Sequence, residues 1–332
     1  MARLAYRDAL RQALVDVMEE DDSVLVIGEE VGVYGGAYGV TRGLIEQFGA
    51  ERVRDTPISE AGIVGAAVGA AMSGLRPVAE LMYVDFIGMT MDQLGNQAAK
   101  IRYMFGGQIG VPMVLRTQGG TGRSAGAQHS QSLEAYVMHT PGLRLAMPAT
   151  VHDAYHLLRQ SLRQPDPVVF IEHKGLYTLK EDTDLDAAPP DWGKAAVRRR
   201  GTDLVIVTYS RQVHHALAAA EALSADGIEA TVIDLRTLNP IDVDTVRDEV
   251  ERVGRAMVVS EAVMTCGVAA ELSARIAEEC FDFLEQPVIR IAGEDIPISV
   301  SVELEANSVP TPASIEEAAR RLVAPVTVRA PE

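Results

Sequence analysis

The chain has 332 residues, 47% of them apolar and 23% charged, which is room for two domains of ordinary composition. Its net charge of −17 argues against a nucleic-acid partner, and no apolar run approaches the ~20 residues of a membrane span. Two cysteines, Cys266 and Cys280, offer neither a disulfide framework nor a metal spacing, so a reducing cytoplasm is expected. Met1-Ala2-Arg3 runs straight into amphipathic sequence, and no secretory leader is expected. Leu10, Ala13, Leu14, Val17 and Met18 form a helical stripe, followed by a short strand at Val24–Ile27. Thr41 is placed to cap a helix that stops at Gly49. Next come a helix opened by Glu60, a strand at Val78–Met82 and one long helix from about Asp85 to Met104. Val111–Arg116, Leu143–Met147 and Val168–Ile171 read as strands, with Thr150 and Asp153 marking the start of a helix between the last two.

Residues 180–200 interrupt this rhythm with charge, Pro189-Pro190 and Arg198-Arg199-Arg200, and read as a linker region. A second strand–helix series follows: strands at Leu204–Thr208, Ala230–Asp234, Met257–Ser260 and Val288–Ile291, and helices ending at Gly227, near Gly254, at Cys280 and at Val323. Such alternation predicts an α/β protein of two domains with mainly parallel sheets covered by helices. The expected boundaries are residues 1–185, a linker at 186–200, and 201–332. The acidity is uneven: residues 1–200 hold 24 Asp+Glu against 20 Lys+Arg, and residues 201–332 hold 23 against 10. That excess is either a solvated surface or a face for a basic partner.

The most informative stretch is Asp55-Thr-Pro-Ile-Ser-Glu60 and the helix behind it, which carries no further charge until Arg76. Gly62, Gly65 and Gly69 share one helix face, and each weakens a helix by roughly 1 kcal/mol relative to alanine. They predict something packed close against the helix backbone. Glu60 is then either a charge at a helix N-terminus, stabilised by the dipole, or a working acid.

This stretch resembles the β subunits of the thiamin-diphosphate-dependent 2-oxo-acid dehydrogenases, which act on pyruvate, branched-chain oxo acids or acetoin. Gly28-Glu29-Glu30-Val31, Gly35-Gly36-Ala37-Tyr38, Gly74-Leu75-Arg76-Pro77, Gln128-His129-Ser130-Gln131, Pro167-Val-Val-Phe-Ile-Glu172 and Asp234-Leu-Arg-Thr-Leu-Asn-Pro240 continue the likeness, in order, over nearly the whole chain. It implies a pyrimidine-binding thiamin-diphosphate domain followed by a transketolase C-terminal-type domain. It also implies that Glu60 is the acid hydrogen-bonded to the cofactor's pyrimidine, kept dry enough to hold its proton. Phe86 would lie against the aminopyrimidine with Met82 and Tyr83 nearby, although a core aromatic explains Phe86 equally well. His129 would reach the active site and handle a proton there, the alternative being a histidine bonded to a loop carbonyl.

The chain lacks the Gly-Asp-Gly segment with which thiamin enzymes hold Mg²⁺ and diphosphate. The resemblance assigns that half to an α subunit in an α₂β₂ heterotetramer. It further implies K⁺ held by backbone carbonyls of Met113, Ser161, Gln164 and Asp166, and a lipoyl acyltransferase core docking on the acidic C-terminal domain. The sequence speaks against two other classes. A nicotinamide-dependent oxidoreductase is opposed by the loop Gly119–Gly126, which has neither dinucleotide nor Walker spacing. A non-catalytic assembly subunit is opposed by Glu60. The segment Ile296-Pro-Ile-Ser299 keeps one proline where relatives often have two, which bears on the local loop and not on the chemistry. Residues 96–107 look closest to the acetoin and bacterial pyruvate branches.

Overall fold

A computed structural model describes residues 2–324. Its strands are β1 (Ala2–Ala5), β2 (Val24–Gly28), β3 (Val53–Asp55), β4 (Arg76–Leu81), β5 (Val114–Gly119), β6 (Arg144–Ala146), β7 (Val168–His173), β8 (Lys180–Thr183), β9 (Ala196–Arg199), β10 (Leu204–Thr208), β11 (Ala230–Asp234), β12 (Thr237–Asn239), β13 (Ala256–Val263) and β14 (Ile289–Gly293). The chain divides into two compact units. The first comprises residues up to Lys194 with Arg236–Ile241 and Pro297–Ala306, and the second comprises Ala195–Leu235, Asp242–Ile296 and the chain from Asn307.

The first unit is built on a seven-stranded sheet of order β12-β6-β7-β5-β4-β2-β3, parallel except at the β12–β6 edge. Strands buried on both faces read as continuous apolar runs because side chains alternate sides. Val24, Val26, Val78, Val114, Val168 and Phe170 pack with the helices Tyr6–Glu20 and Val151–Arg163. The helix Glu60–Met72 lies against β4. The second unit has a sheet of order β14-β13-β10-β11-β9, parallel except for β9. Leu204, Ile206, Val232, Met257 and Val259 pack there with the helices Gln212–Ser224 and Pro312–Val323.

Three local expectations change. The stretch from Val84 to Met104 is not one α-helix: a 3₁₀ segment at Val84–Thr90 and a π segment at Asp92–Ala98 precede an α-helix at Ala99–Met104. Gly88 and Gly95 lie within it, and a side chain at Gly95 would stand 3.1 Å from Met91. Thr41 does not cap with its side chain; its Oγ1 is buried without a hydrogen-bond partner, and the helix Leu44–Phe48 starts from Gly43 in the left-handed region. The charged stretch 180–200 holds two strands, because both pair along sheet edges where charges can stay wet. β8 pairs with β1, and β9 pairs with β11, where Arg198 and Arg199 meet Asp234 at 2.7 Å and Glu229 at 2.6 Å. By contrast, Thr150 caps as expected, accepting from the Asp153 amide at 3.1 Å.

Near their carboxyl ends, three neighbouring strands share one buried ion network. Arg116 on β5 donates through Nε and Nη2 to Glu172 on β7 and through Nη1 to Glu80 on β4. Tyr177 donates to Glu172 Oε2 at 2.6 Å. Burial works against the guanidinium charge, but Glu172 and Glu80 outweigh it and raise Arg116 further. Removing one partner from a buried network strands the others, at roughly 3–5 kcal/mol. Arg116→Met is therefore expected to lower unfolding stability by about that amount in urea titrations. A loss below ~1 kcal/mol, as for a surface pair, would show that the network is not what ties these strands.

Candidate active site

In parallel α/β sheets, ligands collect outside the carboxyl ends of the strands. Here those ends lead to Glu29 after β2, Met82–Phe86 after β4, Gly120 after β5 and Lys174 after β7. Gly120 has φ +83°, and a side chain there would drive into the His173 ring, 2.2 Å from Nε2.

Phe86 and His129 are brought together, with ring centroids 5.5 Å apart and planes at 84°. Tyr83 completes the group, 4.6 Å from His129 and 5.9 Å from Phe86. Tyr83 Oη lies 3.4 Å from Tyr38 Oη, and Tyr38 stacks on Tyr177 at 4.7 Å. Burial is the first cause raising the Tyr38 phenol, followed by its bond to Tyr83, so it stays protonated. Met82 is fixed through its carbonyl, which accepts from Gln118 Nε2 at 2.8 Å. Gln118 Oε1 and Thr117 Oγ1 are buried without partners and line a void of about 10 Å³, at most one water. That void is too small for an aromatic ring, whereas Met82, Phe86 and His129 are all half-buried.

Glu60 is the first residue of its helix, and Ser59 before it makes no side-chain cap bond. It is half-buried, so the dry setting expected for it is not completed by this chain. On the glycine face the close approach is confined to Gly62, where a side chain would stand 2.8 Å from Ser59 Oγ; one at Gly65 would meet Gln93 at 3.4 Å, and one at Gly69 would meet nothing within 4 Å. The buried face is the opposite one, Ile63, Val64, Ala67, Val68 and Ala71.

Glu29 was not singled out from the sequence, although it lies in the quoted Gly28-Glu29-Glu30-Val31. It is buried, and its carboxyl is raised from the usual glutamate value first by that burial, then by Glu60, Glu30 and Glu80. Glu60 and Glu29 thus form an acidic pair of neighbours at the mouth of the sheet. The Met113 carbonyl accepts from the Val168 amide at 3.0 Å and that of Ser161 from Gln164 at 3.1 Å, which leaves each a lone pair. Asp166 binds Arg102 at 2.6 Å and Arg144 at 3.3 Å through its side chain. A cavity of about 830 Å³ is lined by Arg102, Arg144 and Asp166 and includes none of Glu60, Phe86 or His129.

The family comparisons agree with this architecture. The transketolase pyrimidine binding domain matches residues 2–180, and the transketolase C-terminal domain matches residues 193–315. The acetoin:2,6-dichlorophenolindophenol oxidoreductase subunit beta of Cupriavidus necator is 44% identical, over 97% of this chain and 98% of its own. The pyruvate dehydrogenase E1 component subunit beta of Rhizobium meliloti is 42% identical, over 96% of this chain and 70% of its own. A solved split-gene transketolase, described as an inactive beta4 tetramer, has the same fold, with a TM-score of 0.80 over 96% of this chain and 98% of its own at 20% identity. The chain belongs to the family of β subunits of the thiamin-diphosphate-dependent 2-oxo-acid dehydrogenases.

The raised Glu29 carboxyl carries a sign for stability. A group whose folded value is raised favours the fold while protonated, below its unfolded value of 4.5, and loses that contribution as pH climbs through the folded value. Glu29→Gln is therefore expected to raise the melting temperature at neutral pH and to leave it unchanged below the usual glutamate value. Equal melting temperatures at both pH values would show that Glu29 ionises without strain.

Proposed function

We propose that this chain supplies the pyrimidine-side half of a thiamin diphosphate site and that, joined to an α subunit as α₂β₂, it decarboxylates a 2-oxo acid, pyruvate foremost, and passes the acyl group to a lipoyl arm. The observation that carries this reading is that Glu60 at a helix start, Phe86 in a 3₁₀ turn and His129 in a loop all follow strands of one parallel sheet, with Phe86 beside His129, in a chain of this family. The residues fit half of such a cofactor: a half-buried carboxyl at a helix start and an aromatic ring beside a histidine. When bound, thiamin diphosphate supplies an electron sink for cleavage of the bond to the carboxylate.

Glu60 would donate its proton to the far pyrimidine nitrogen and so set the cofactor's tautomer. Phe86 and Met82 would hold the ring in place, and His129 would move a proton at the substrate oxygen. Mg²⁺ and the diphosphate are assigned to the α subunit, since the sequence has no Gly-Asp-Gly, and the open glycine face beside Glu60 supports a partner that completes its dry setting. Met113, Ser161, Gln164 and Asp166 are proposed carbonyl ligands for K⁺, which helix C-terminal carbonyls such as that of Ser161 favour. Acetoin is the second reading of the substrate, favoured by the 44% identical relative from Cupriavidus necator.

The acidic residues after position 200 support docking of a basic domain of a lipoyl acyltransferase core, and capture that does not weaken with salt would contradict this part. The free thiols Cys266 and Cys280 support a cytoplasmic setting. No helix among the described residues is long and apolar enough to cross a membrane. Calorimetry tests the half-site. The chain alone is expected to bind thiamin diphosphate weakly whether or not Mg²⁺ is present, and the assembly with its α subunit to bind tightly and with Mg²⁺. Tight Mg²⁺-dependent binding by this chain alone would contradict the proposal.

A further inference from the structure

Lys174, one residue beyond β7, is wholly buried. Lysine is among the residue types least often fully buried, because its ammonium must find partners there. Its Nζ donates to the backbone carbonyl of His129 and to Ser130 Oγ, the latter at 3.3 Å. It also stands 5.9 Å from the centroid of the Tyr83 ring, the ring that packs at a right angle to His129. An anion holds the same loop through its amides. Asp85 Oδ1 accepts from the Ser130 and Gln131 amides at 3.1 Å each and from Gln131 Nε2 at 3.0 Å.

Thus a cation takes the carbonyl of His129 and an anion takes the next two amides. Each charge meets the end of the peptide dipole that suits it, and charge-assisted bonds are about twice as strong as neutral ones. Together they fix the backbone on the carboxyl side of His129. Tyr83 and Phe86, flanking Asp85 in sequence, then fix the imidazole. Two of the ring's supports and one of the loop's supports therefore come from a single turn, Tyr83–Phe86, and Lys174 joins that turn to β7.

We propose that Lys174 is a positioning residue: with Asp85 it clamps the His129–Ser130 backbone and so holds the His129 imidazole against Tyr83 and Phe86. Its importance for turnover rests on the reading of His129 under Proposed function; the clamp itself does not.

The test uses the full chain with ¹³C-labelled histidines, the His129 resonance being assigned by its loss in His129→Ala. Close packing against two rings displaces that resonance from that of the exposed His139. Lys174→Met, similar in length but without donors, is expected to move it toward the exposed position. In the enzyme assembled with its α subunit, the same variant is expected to lower kcat roughly 10–100-fold with KM unchanged. Combined with His129→Ala it should lower kcat no further than His129→Ala alone. An unmoved His129 resonance in folded Lys174→Met overturns the proposal, as do losses that multiply in the double variant. Should Lys174→Met not fold, Ser130→Ala removes one oxygen that the ammonium binds and is expected to move the same resonance less; an unmoved peak there overturns the proposal too. Full activity in His129→Ala would instead defeat the reading of His129, and the resonance alone would then decide the clamp.

Discussion

One guanidinium organises the first unit. Arg116 lies on the strand between β4 and β7 and binds a carboxylate from each. In register, Glu80 pairs with both Gly28 and Arg116, so the network sits level with the last residue of β2. The turns that leave the sheet just above it carry Glu29, Met82, Phe86 and Lys174. A charge buried in a sheet has little freedom, because any strand slip would separate it from its partners and leave it uncompensated. The network therefore sets the height of the turns that form the site.

Above that floor, two groups of side chains face different tasks. Tyr83, Phe86 and His129 form a rigid aromatic corner whose backbone is held by Asp85 and Lys174. Glu60 and Glu29 form an acidic edge, and the helix behind Glu60 leaves Gly62, Ala66 and Gly69 exposed. Burial already disfavours charge at Glu29, whereas Glu60 is only half covered.

Strands and helices with clean periodicity were legible in the sequence: the stripe from Leu10 to Met18 is buried as read, and Gly254 ends its helix in the left-handed region. The Val84–Met104 stretch was misread because an apolar pattern cannot distinguish 3.6 residues per turn from a 3₁₀ and π sequence of similar pitch. The two short strands at the ends of residues 180–200 were not legible, because edge strands that stay wet carry the charge pattern of a loop. The glycines of the Glu60 helix signalled close approach, but sequence could not say that only Gly62 has a close neighbour, the preceding Ser59, while Gly69 faces open space. Arg116, Glu172 and Lys174 left a signal that went unused. Each is a charge set in or just after an apolar parallel strand, where only a partner of opposite sign or a backbone carbonyl can keep it.

The central claim is that Glu60 is the acid that activates thiamin diphosphate across a subunit boundary. The most direct measurement is the rate of proton exchange at the thiazolium carbon, followed by NMR in the assembled α₂β₂ enzyme with Glu60 and with Glu60→Gln. An amide can still hydrogen-bond to the pyrimidine, but it cannot give and recover a proton. The account predicts that exchange in Glu60→Gln falls close to that of free thiamin diphosphate while the cofactor stays bound. Exchange as fast as in the unaltered enzyme would contradict it.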